Sequence, residues 1–417
     1  MLRLILLLTA LEAAGETRLL NLKSAVQLAD AQNPTTAIAH LRMLESKSAE
    51  TQVKSAYGPQ IGGVVQGAYQ TTNLQGIGLA FPGFPERVGP YRTFNARPQA
   101  TQTLIDLSLL SQIKASRSRT EQFRWDEETA REGIRLAVIQ LYLQVFEAQS
   151  RIKAAEARIA SAESLLGQAK DRESLGGASK LDVARNEQQL YSERFAKTLA
   201  ERDKKVLEDA LKESLGLDQT VDLELETPRL AALGVSVDRP EIKSVSAQIR
   251  ERELQLEAAK RGRLPKLSGY GDFGLLGQGP DKSLSTYQIG ATLSFPIFTS
   301  GRIESEIAQA ELRQRQAEQN RKKLELQIQR EIAEAKHELE SAEQATKETE
   351  SQRTAAAETL TLTRLRFEAG LATSTDTTTA QADLAQADEL LIRSRYSSLV
   401  AAAKLARAQG NTLAILP

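Results

Sequence analysis

Apolar residues recur along the chain with two different periods. Through Ile134, Val138, Leu141, Val145, Ala148, Ile152, Ala155, Ile159, Ala162, Leu166 and Ala169 the steps alternate between four and three. A period of 3.5 keeps such a seam against a partner helix, so the pattern predicts a coiled-coil helix. One seam position is mostly Val, Ile or Leu and the other mostly Ala, which lets helices approach closely. A second seam runs through Ile328, Ile332, Ala335, Leu339, Ala342, Thr346, Thr349, Arg353, Ala356, Leu360, Thr363 and Phe367, degraded at its centre by Thr and Arg. The predicted helices cover about 110–174 and 301–368, each ~100 Å long, with shorter ones over about 23–57 and 180–216, each ~50 Å. Gly176-Gly177-Ala178-Ser179 and Gly370-Leu371-Ala372-Thr373 carry turn chemistry and predict reversals between helices.

Elsewhere the period drops to two. Tyr287, Ile289, Ala291, Leu293 and Phe295 alternate with Thr286, Gln288, Gly290, Thr292 and Ser294. An apolar face opposite a small polar face, over about ten residues, suits a tilted strand of a transmembrane barrel. Residues 267–275 predict its partner, with Leu267, Gly269, Gly271, Phe273 and Leu275 on one face. Residues 61–70 and 94–104 alternate more weakly. The Gly- and Pro-rich segment 71–93 and the shorter 276–283 read as surface loops. Four strands cannot close a barrel, because an open edge in lipid leaves backbone groups unpaired. Either three chains pool twelve strands, or the strands stay out of lipid.

The chain also repeats itself. Pro34 and Pro59 are 25 positions apart, as are Pro240 and Pro265, and the two pairs are offset by 206. Gly176, Asp182, Leu190, Leu211 and Gly216 recur as Gly370, Asp376, Leu384, Leu405 and Gly410 at an offset of 194. Fixed offsets over this many landmarks predict two copies of one unit. The first spans 16–235: helix, β-hairpin 60–104 with external loop 71–93, long helix, tip 175–180, helix and a linker at 217–236. That linker carries a short candidate strand, Val221-Asp222-Leu223-Glu224-Leu225. The second copy spans 236–417, with β-hairpin 266–296 and tip 369–375.

Composition removes several chemistries. The chain of 417 residues has 54 Lys+Arg and 54 Asp+Glu, without the basic excess of a general nucleic-acid binder. It has no cysteine, which excludes disulfides, zinc–thiolate sites, iron–sulfur clusters and a Cys nucleophile. His40 and His337 are its two histidines, and neither stands in zinc-motif spacing. There is no P-loop, nucleophile elbow, HExxH or Gly-rich dinucleotide loop. No enzyme activity, cofactor or metal is expected. Residues 1–15 read as an export signal: Arg3, an apolar run from Leu4 to Ala10, then Ala13-Ala14-Gly15. No later segment is apolar for 18 residues, so any membrane passage is expected through β-strands.

These pieces together resemble the TolC-like outer-membrane efflux proteins, over essentially the whole mature length. Leu20-Asn21-Leu22-Lys23-Ser24-Ala25 followed by Asn33-Pro34 resembles the family's opening helix. Ser55-Ala56-Tyr57-Gly58-Pro59 and Leu264-Pro265-Lys266-Leu267 resemble its helix-to-strand junctions, and Phe295-Pro296-Ile297-Phe298-Thr299-Ser300-Gly301 its strand-to-helix junction. Arg366-Phe367-Glu368-Ala369-Gly370 followed by Asp376 resembles its hairpin tip. The first copy departs at Arg172-Glu173-Ser174-Leu175-Gly176, which lacks the aromatic, and at Leu104-Ile105-Asp106-Leu107, which lacks the proline.

The resemblance implies a mainly α fold with a small β part. Long antiparallel helical hairpins would form a trimeric α-barrel, and four strands per chain would contribute to a 12-stranded transmembrane β-barrel. It implies a homotrimer in the lipid of the bacterial outer membrane, with its helices projecting into the periplasm. There it would dock a periplasmic adaptor and, through it, an inner-membrane pump of the RND or ABC type. It also places gate and docking at the tips: Arg172, Gly176, Ser179 and Asp182 in the first copy, Arg366, Gly370, Thr373 and Asp376 in the second. The arginines could bridge neighbouring coils through carboxylates. Asp182, Asp376, Ser179 and Thr373 read equally as helix N-terminal acids and caps. Tyr287, Ile289, Leu293 and Phe295 are expected to face lipid. The competing reading is an exported coiled-coil scaffold without a pore.

Overall fold

The computed structural model of the chain describes residues 17–78, 82–83, 85–177, 179–231 and 238–416. The expected export signal at 1–15 lies outside them, as do parts of loop 71–93, of tip 175–180 and of linker 217–236. Mainly helical, the chain runs β1 (Thr17–Leu20), α1 (Leu22–Gln32), α2 (Pro34–Ser55), β2 (Gln60–Asn73), β3 (Arg87–Ile105), α3 (Leu107–Ser174) and α4 (Lys180–Leu215). It continues with β4 (Asp222–Leu225), α5 (Pro240–Arg261), β5 (Lys266–Gly277), β6 (Ser283–Ser294), α6 (Arg302–Glu368) and α7 (Ser374–Ala408). By its contacts it divides into two compact units, one of Met1–Leu41, Trp125–Ile242 and Lys323–Pro417, the other of Arg42–Arg124 and Lys243–Lys322.

The second unit holds a four-stranded antiparallel sheet in the order β2-β3-β5-β6. The first hairpin is longer than its alternation suggests. Pairing continues through an irregularity at Gln70/Thr72 to Asn73↔Arg87, which shortens the expected loop 71–93 from both sides. Glycines at 62, 63 and 67 blur the local pattern of β2, and the pairing partner β3 supplies the order. At the other end β6 stops at Ser294, so Phe295 follows the strand instead of closing it. Pro296 has no N–H to offer a ladder, which ends the pairing there.

In the first unit the seam of α3 is buried or half-buried at all eleven positions from Ile134 to Ala169. The seam of α6 is likewise covered except at Arg353, whose guanidinium pairs with Asp388 at 3.0 Å. The core gathers Leu22, Val26, Val138, Ile139, Tyr142, Leu143, Phe146, Leu211, Leu215 and Ile415. Beside it β1 and β4 form a parallel pair, Thr17↔Asp222 to Leu20↔Leu225, to which the expected linker strand belongs. The Tyr142 hydroxyl reaches both the Leu20 carbonyl, at 2.9 Å, and the Glu226 carbonyl, at 2.6 Å, tying α3 to this pair.

The expected helix 23–57 is two helices, broken at Asn33. The residue before a proline is kept out of the helical region, and Asn33 is accordingly extended, with φ −64° and ψ 128°. Its amide then donates to the Ser214 carbonyl at the end of α4, at 2.7 Å. The corresponding place before Pro240 is Arg239, whose guanidinium donates to the Ala408 carbonyl at the end of α7, at 2.9 Å. Ser214 and Ala408 differ by 194, Asn33 and Arg239 by 206, the two offsets found in the sequence. The glycines two residues further on repeat the contact. A Cβ on Gly216 would sit 2.5 Å from the Gln32 carbonyl oxygen, and one on Gly410 would sit 2.7 Å from that of Asp238.

Candidate functional site

Two surfaces of the chain stand out, one in each unit. The first is the sheet. Its alternation sorts Ile61, Val65 and Tyr69 of β2, Phe94 and Leu104 of β3, Leu267 and Phe273 of β5, and Tyr287, Ile289 and Leu293 of β6 onto one face. That apolar face is uncovered: Ile61, Val65 and Tyr69 are each 77% exposed, Tyr287 78%, Ile289 83% and Leu293 60%. Phe295, just past the strand, is also exposed. The opposite face presents mostly polar residues, Gln66, Asn95, Arg97, Gln99, Thr101, Asp272, Thr286, Gln288 and Thr292, with Val64, Tyr270, Leu276 and Leu284 among them. Burying apolar surface is worth about 25 cal/mol per Å², so a monomeric soluble chain rarely leaves such a face to water. The order β2-β3-β5-β6 also leaves β2 and β6 as open edges.

On the polar face, Arg97 Nη1 donates to Asp272 Oδ1 at 2.8 Å and Arg97 Nε to Asn95 Oδ1 at 2.6 Å. This pair clamps the first hairpin to the second across β3 and β5. Sequence reasoning missed it, because the partners are 175 positions apart and only the sheet order brings them together.

The second surface is the pair of tips in the helical unit. At the first, Gly177 N–H donates to the Arg172 carbonyl at 2.7 Å and Gly176 N–H to the Glu173 carbonyl at 3.0 Å. At the second, Leu371 N–H donates to the Arg366 carbonyl at 2.8 Å and Gly370 N–H to the Phe367 carbonyl at 3.1 Å. Both are Schellman ends, and each needs a left-handed residue, supplied by Gly176 at φ 75° and Gly370 at φ 71°. The next helices start with matched capping boxes. Ser179 N and Oγ donate to Asp182 Oδ2 at 3.0 and 2.7 Å, and Asp182 N–H returns a bond to Ser179 Oγ at 3.2 Å. Thr373 N and Oγ1 donate to Asp376 Oδ2, both at 2.8 Å, and Asp376 N–H returns one at 3.2 Å. The Ser179 hydroxyl and N–H hold the Asp182 carboxyl below the usual range, and the Thr373 N–H and hydroxyl do the same for Asp376. Within the chain, then, all four residues cap helices.

The tip arginines are not placed alike. The Arg172 guanidinium lies over the Phe367 ring, 4.5 Å from its centre, a cation–π contact between the two tips. Arg366 Nη2 reaches only the Leu371 carbonyl, at 3.4 Å. Among the described residues neither arginine is paired with a carboxylate of its own chain. Arg185 Nη1 adds a second bond between the tips, to Thr375 Oγ1 at 2.6 Å. Leu175 and Leu371 stand exposed at the ends. The aromatic at 367 was legible as a tip residue, but its arginine partner belongs to the other copy and needs the two hairpins side by side.

Among the described residues no cluster of His, Cys, Asp and Glu could hold a metal ion, and no helix is long and apolar enough to cross a membrane. The second statement does not bear on strands.

Long heptad hairpins with capped reversals, joined to a sheet that is apolar on one side and polar on the other, define a membrane-channel class of protein. The chain belongs to the outer membrane efflux protein family, whose model matches residues 25–217 and 235–411. No curated protein matches it. Its fold is shared with solved outer-membrane channels. The CmeC outer membrane channel of Campylobacter jejuni is 19% identical, with 93% of this chain and 85% of that chain covered and a TM-score of 0.82. The outer membrane protein VceC of Vibrio cholerae is 17% identical, with 94% and 96% covered and a TM-score of 0.82. The MtrE outer membrane channel of Neisseria gonorrhoeae, solved in its open state, is 17% identical, with 94% and 89% covered and a TM-score of 0.80. Membership makes this chain an outer-membrane efflux channel protein, and CmeC and MtrE, whose fold it shares, are outer membrane channels.

Proposed function

We propose that the chain is the outer-membrane component of a tripartite efflux or type I secretion system. Three copies pool their strands into a closed 12-stranded barrel, and their hairpins form an α-barrel that projects into the periplasm. Each chain is two copies of one unit, 16–235 and 236–417, behind an export signal at 1–15. Cargo delivered by an inner-membrane pump of the RND or ABC type, through a periplasmic adaptor, passes outward without chemistry in the channel.

The observation that carries this reading is the sheet: an uncovered apolar face, a polar reverse face, and open edges at β2 and β6. Joining β6 of one copy to β2 of the next satisfies both edges. The same closure turns the apolar faces to lipid, with Tyr287, Ile289 and Leu293 outward, and the polar faces to a wet lumen. Phe295, past the last ladder pair, takes the lipid interface. The tips carry gate and adaptor docking through Arg172, Gly176, Ser179, Asp182, Arg366, Gly370, Thr373 and Asp376. Of these, Arg366 has the guanidinium least committed within its own chain.

The test is the mass of the complex extracted by mild detergent from isolated outer membranes, followed by conductance in planar bilayers. A trimer that conducts is expected. A soluble monomer or dimer would refute the shared barrel and leave the scaffold reading. For the gate, Arg366→Glu and Arg172→Glu are expected to raise closed-state conductance and antibiotic leakage. Unchanged conductance in both would remove the arginines from the gate.

A further inference from the structure

Within the helical unit, a cavity of about 680 Å³ lies among residues of α3, α4, α6 and α7. That is the size of a small-molecule site, whereas a single water takes up about 30 Å³. Ala157, Leu360 and Leu384 supply apolar lining, and Ser161, Arg364 and Gln381 polar lining. Three ion pairs also line it and neutralise their own charges: Arg158–Glu193 at 2.7 Å, Arg353–Asp388 at 3.0 Å and Arg395–Glu350 at 2.6 Å. Arg364 is left over. Its Nη2 donates to Ser161 Oγ at 2.8 Å, and Gln381 Nε2 reaches the same oxygen at 3.2 Å. Arg364 Nε and Gln381 Oε1 are both buried without a hydrogen-bond partner in the protein. Leaving a buried donor and a buried acceptor unmade is unfavourable.

The other copy shows what the pair lacks. Going back 194 positions, Arg364 and Gln381 become Lys170 and Glu187, and these form an ion pair at 3.3 Å. The first hairpin closes this place with its own carboxylate. The second keeps the cation and exchanges the carboxylate for a neutral amide, and among the described residues no carboxylate pairs with Arg364.

We infer that this cavity binds a small organic acid. Its carboxylate pairs with the Arg364 guanidinium, which lines the cavity, and its apolar part lies on Ala157, Leu360 and Leu384. Such a ligand would tie α3, through Ser161, to α6 and α7. The inference does not rest on the channel reading, since binding and conductance are measured separately.

The experiment is calorimetric titration of the purified full chain in detergent with N-acetyl-leucine at constant ionic strength, with N-acetyl-leucinamide as the uncharged control. Saturable binding of the acid is expected, at least tenfold tighter than the amide. Gln381→Glu, which restores the pair of the first hairpin, is expected to abolish acid binding and raise the melting temperature. Arg364→Gln is expected to abolish binding as well. The comparison of acid with amide needs only the wild-type chain, so a poorly folding variant cannot obscure the result. Absence of saturable binding, equal binding of acid and amide, or undiminished binding to Gln381→Glu would each overturn the inference.

Discussion

The long helices α3 and α6 share a seam but not a second stripe. Beside its seam α3 carries Ile139, Tyr142, Leu143 and Phe146, all buried in the core of the helical unit. At the corresponding places 194 positions later α6 carries Ala333, Lys336, His337 and Glu340, all exposed. The seam is common to both copies because each needs a returning helix against it. The second stripe decides which long helix enters the core, and only α3 has the residues for it, while the second copy contributes Ala403, Ala406 and Ile415 from its end. Duplicated geometry therefore does not mean duplicated energetics.

Truncating the two helices at the same place should break the symmetry most sharply. Tyr142→Ala removes a fully buried ring and its bonds to the β1–β4 pair, and is expected to cost about 3–5 kcal/mol. Lys336→Ala, at the matching position on α6, is expected to stay within about 0.5 kcal/mol. Denaturant midpoints of the purified protein decide it, and comparable losses in the two variants would mean that α6 carries as much of the core as α3.

Glycines sharpen the comparison at a smaller scale. Gly176 and Gly370 at the tips and Gly216 and Gly410 at the ends of α4 and α7 all have positive φ, between 71° and 87°. Alanine at any of them enters the left-handed region, at a cost of roughly 1–2 kcal/mol. At the tips nothing lies within 4 Å of the added Cβ, whereas at 216 and 410 it meets a backbone carbonyl at 2.5 and 2.7 Å. Gly216→Ala and Gly410→Ala are thus expected to cost at least ~1 kcal/mol more than Gly176→Ala and Gly370→Ala. Equal melting temperatures for the four variants would show that the φ penalty alone governs these positions.

The sequence made visible whatever local chemistry determines. The heptad steps of α3 and α6 mark helices of 68 and 67 residues to within a few positions. The reversals were legible because a glycine ends one helix and Ser179 or Thr373 starts the next. Alternation in 286–295 located β6, and Pro296 explains why its last predicted residue falls outside the ladder. What stayed hidden depends on partners far along the chain. Residues Thr17–Leu20 are too few to show a period, and they become a strand only against Asp222–Leu225. The cation–π contact of Arg172, the Arg97–Asp272 clamp and the Arg364–Ser161–Gln381 group all join the first copy to the second. No window around any one of these residues contains its partner.

The smallest expected difference concerns the tip carboxylates, and it separates capping from gating. Asp182 and Asp376 have folded-state pKa values below the usual carboxylate range, because the cap Ser or Thr donates to the ionised form. A lowered folded value means that the carboxylate stabilises the fold above the unfolded pKa of about 3.9, and that this contribution disappears as pH falls through the lower folded value. Asp182→Asn and Asp376→Asn should therefore flatten the loss of melting temperature below about pH 4. The two changes should be nearly equal, because the boxes match bond for bond. If capping is their whole role, single-channel conductance at neutral pH stays at the wild-type value in both variants. A conductance change in Asp376→Asn but not in Asp182→Asn, with both acid profiles flattened alike, would mean that the second tip does more than end a helix. That outcome would fit the weaker intrachain engagement of Arg366, whose charge already acts on Asp376, than of Arg172, which is seated on Phe367.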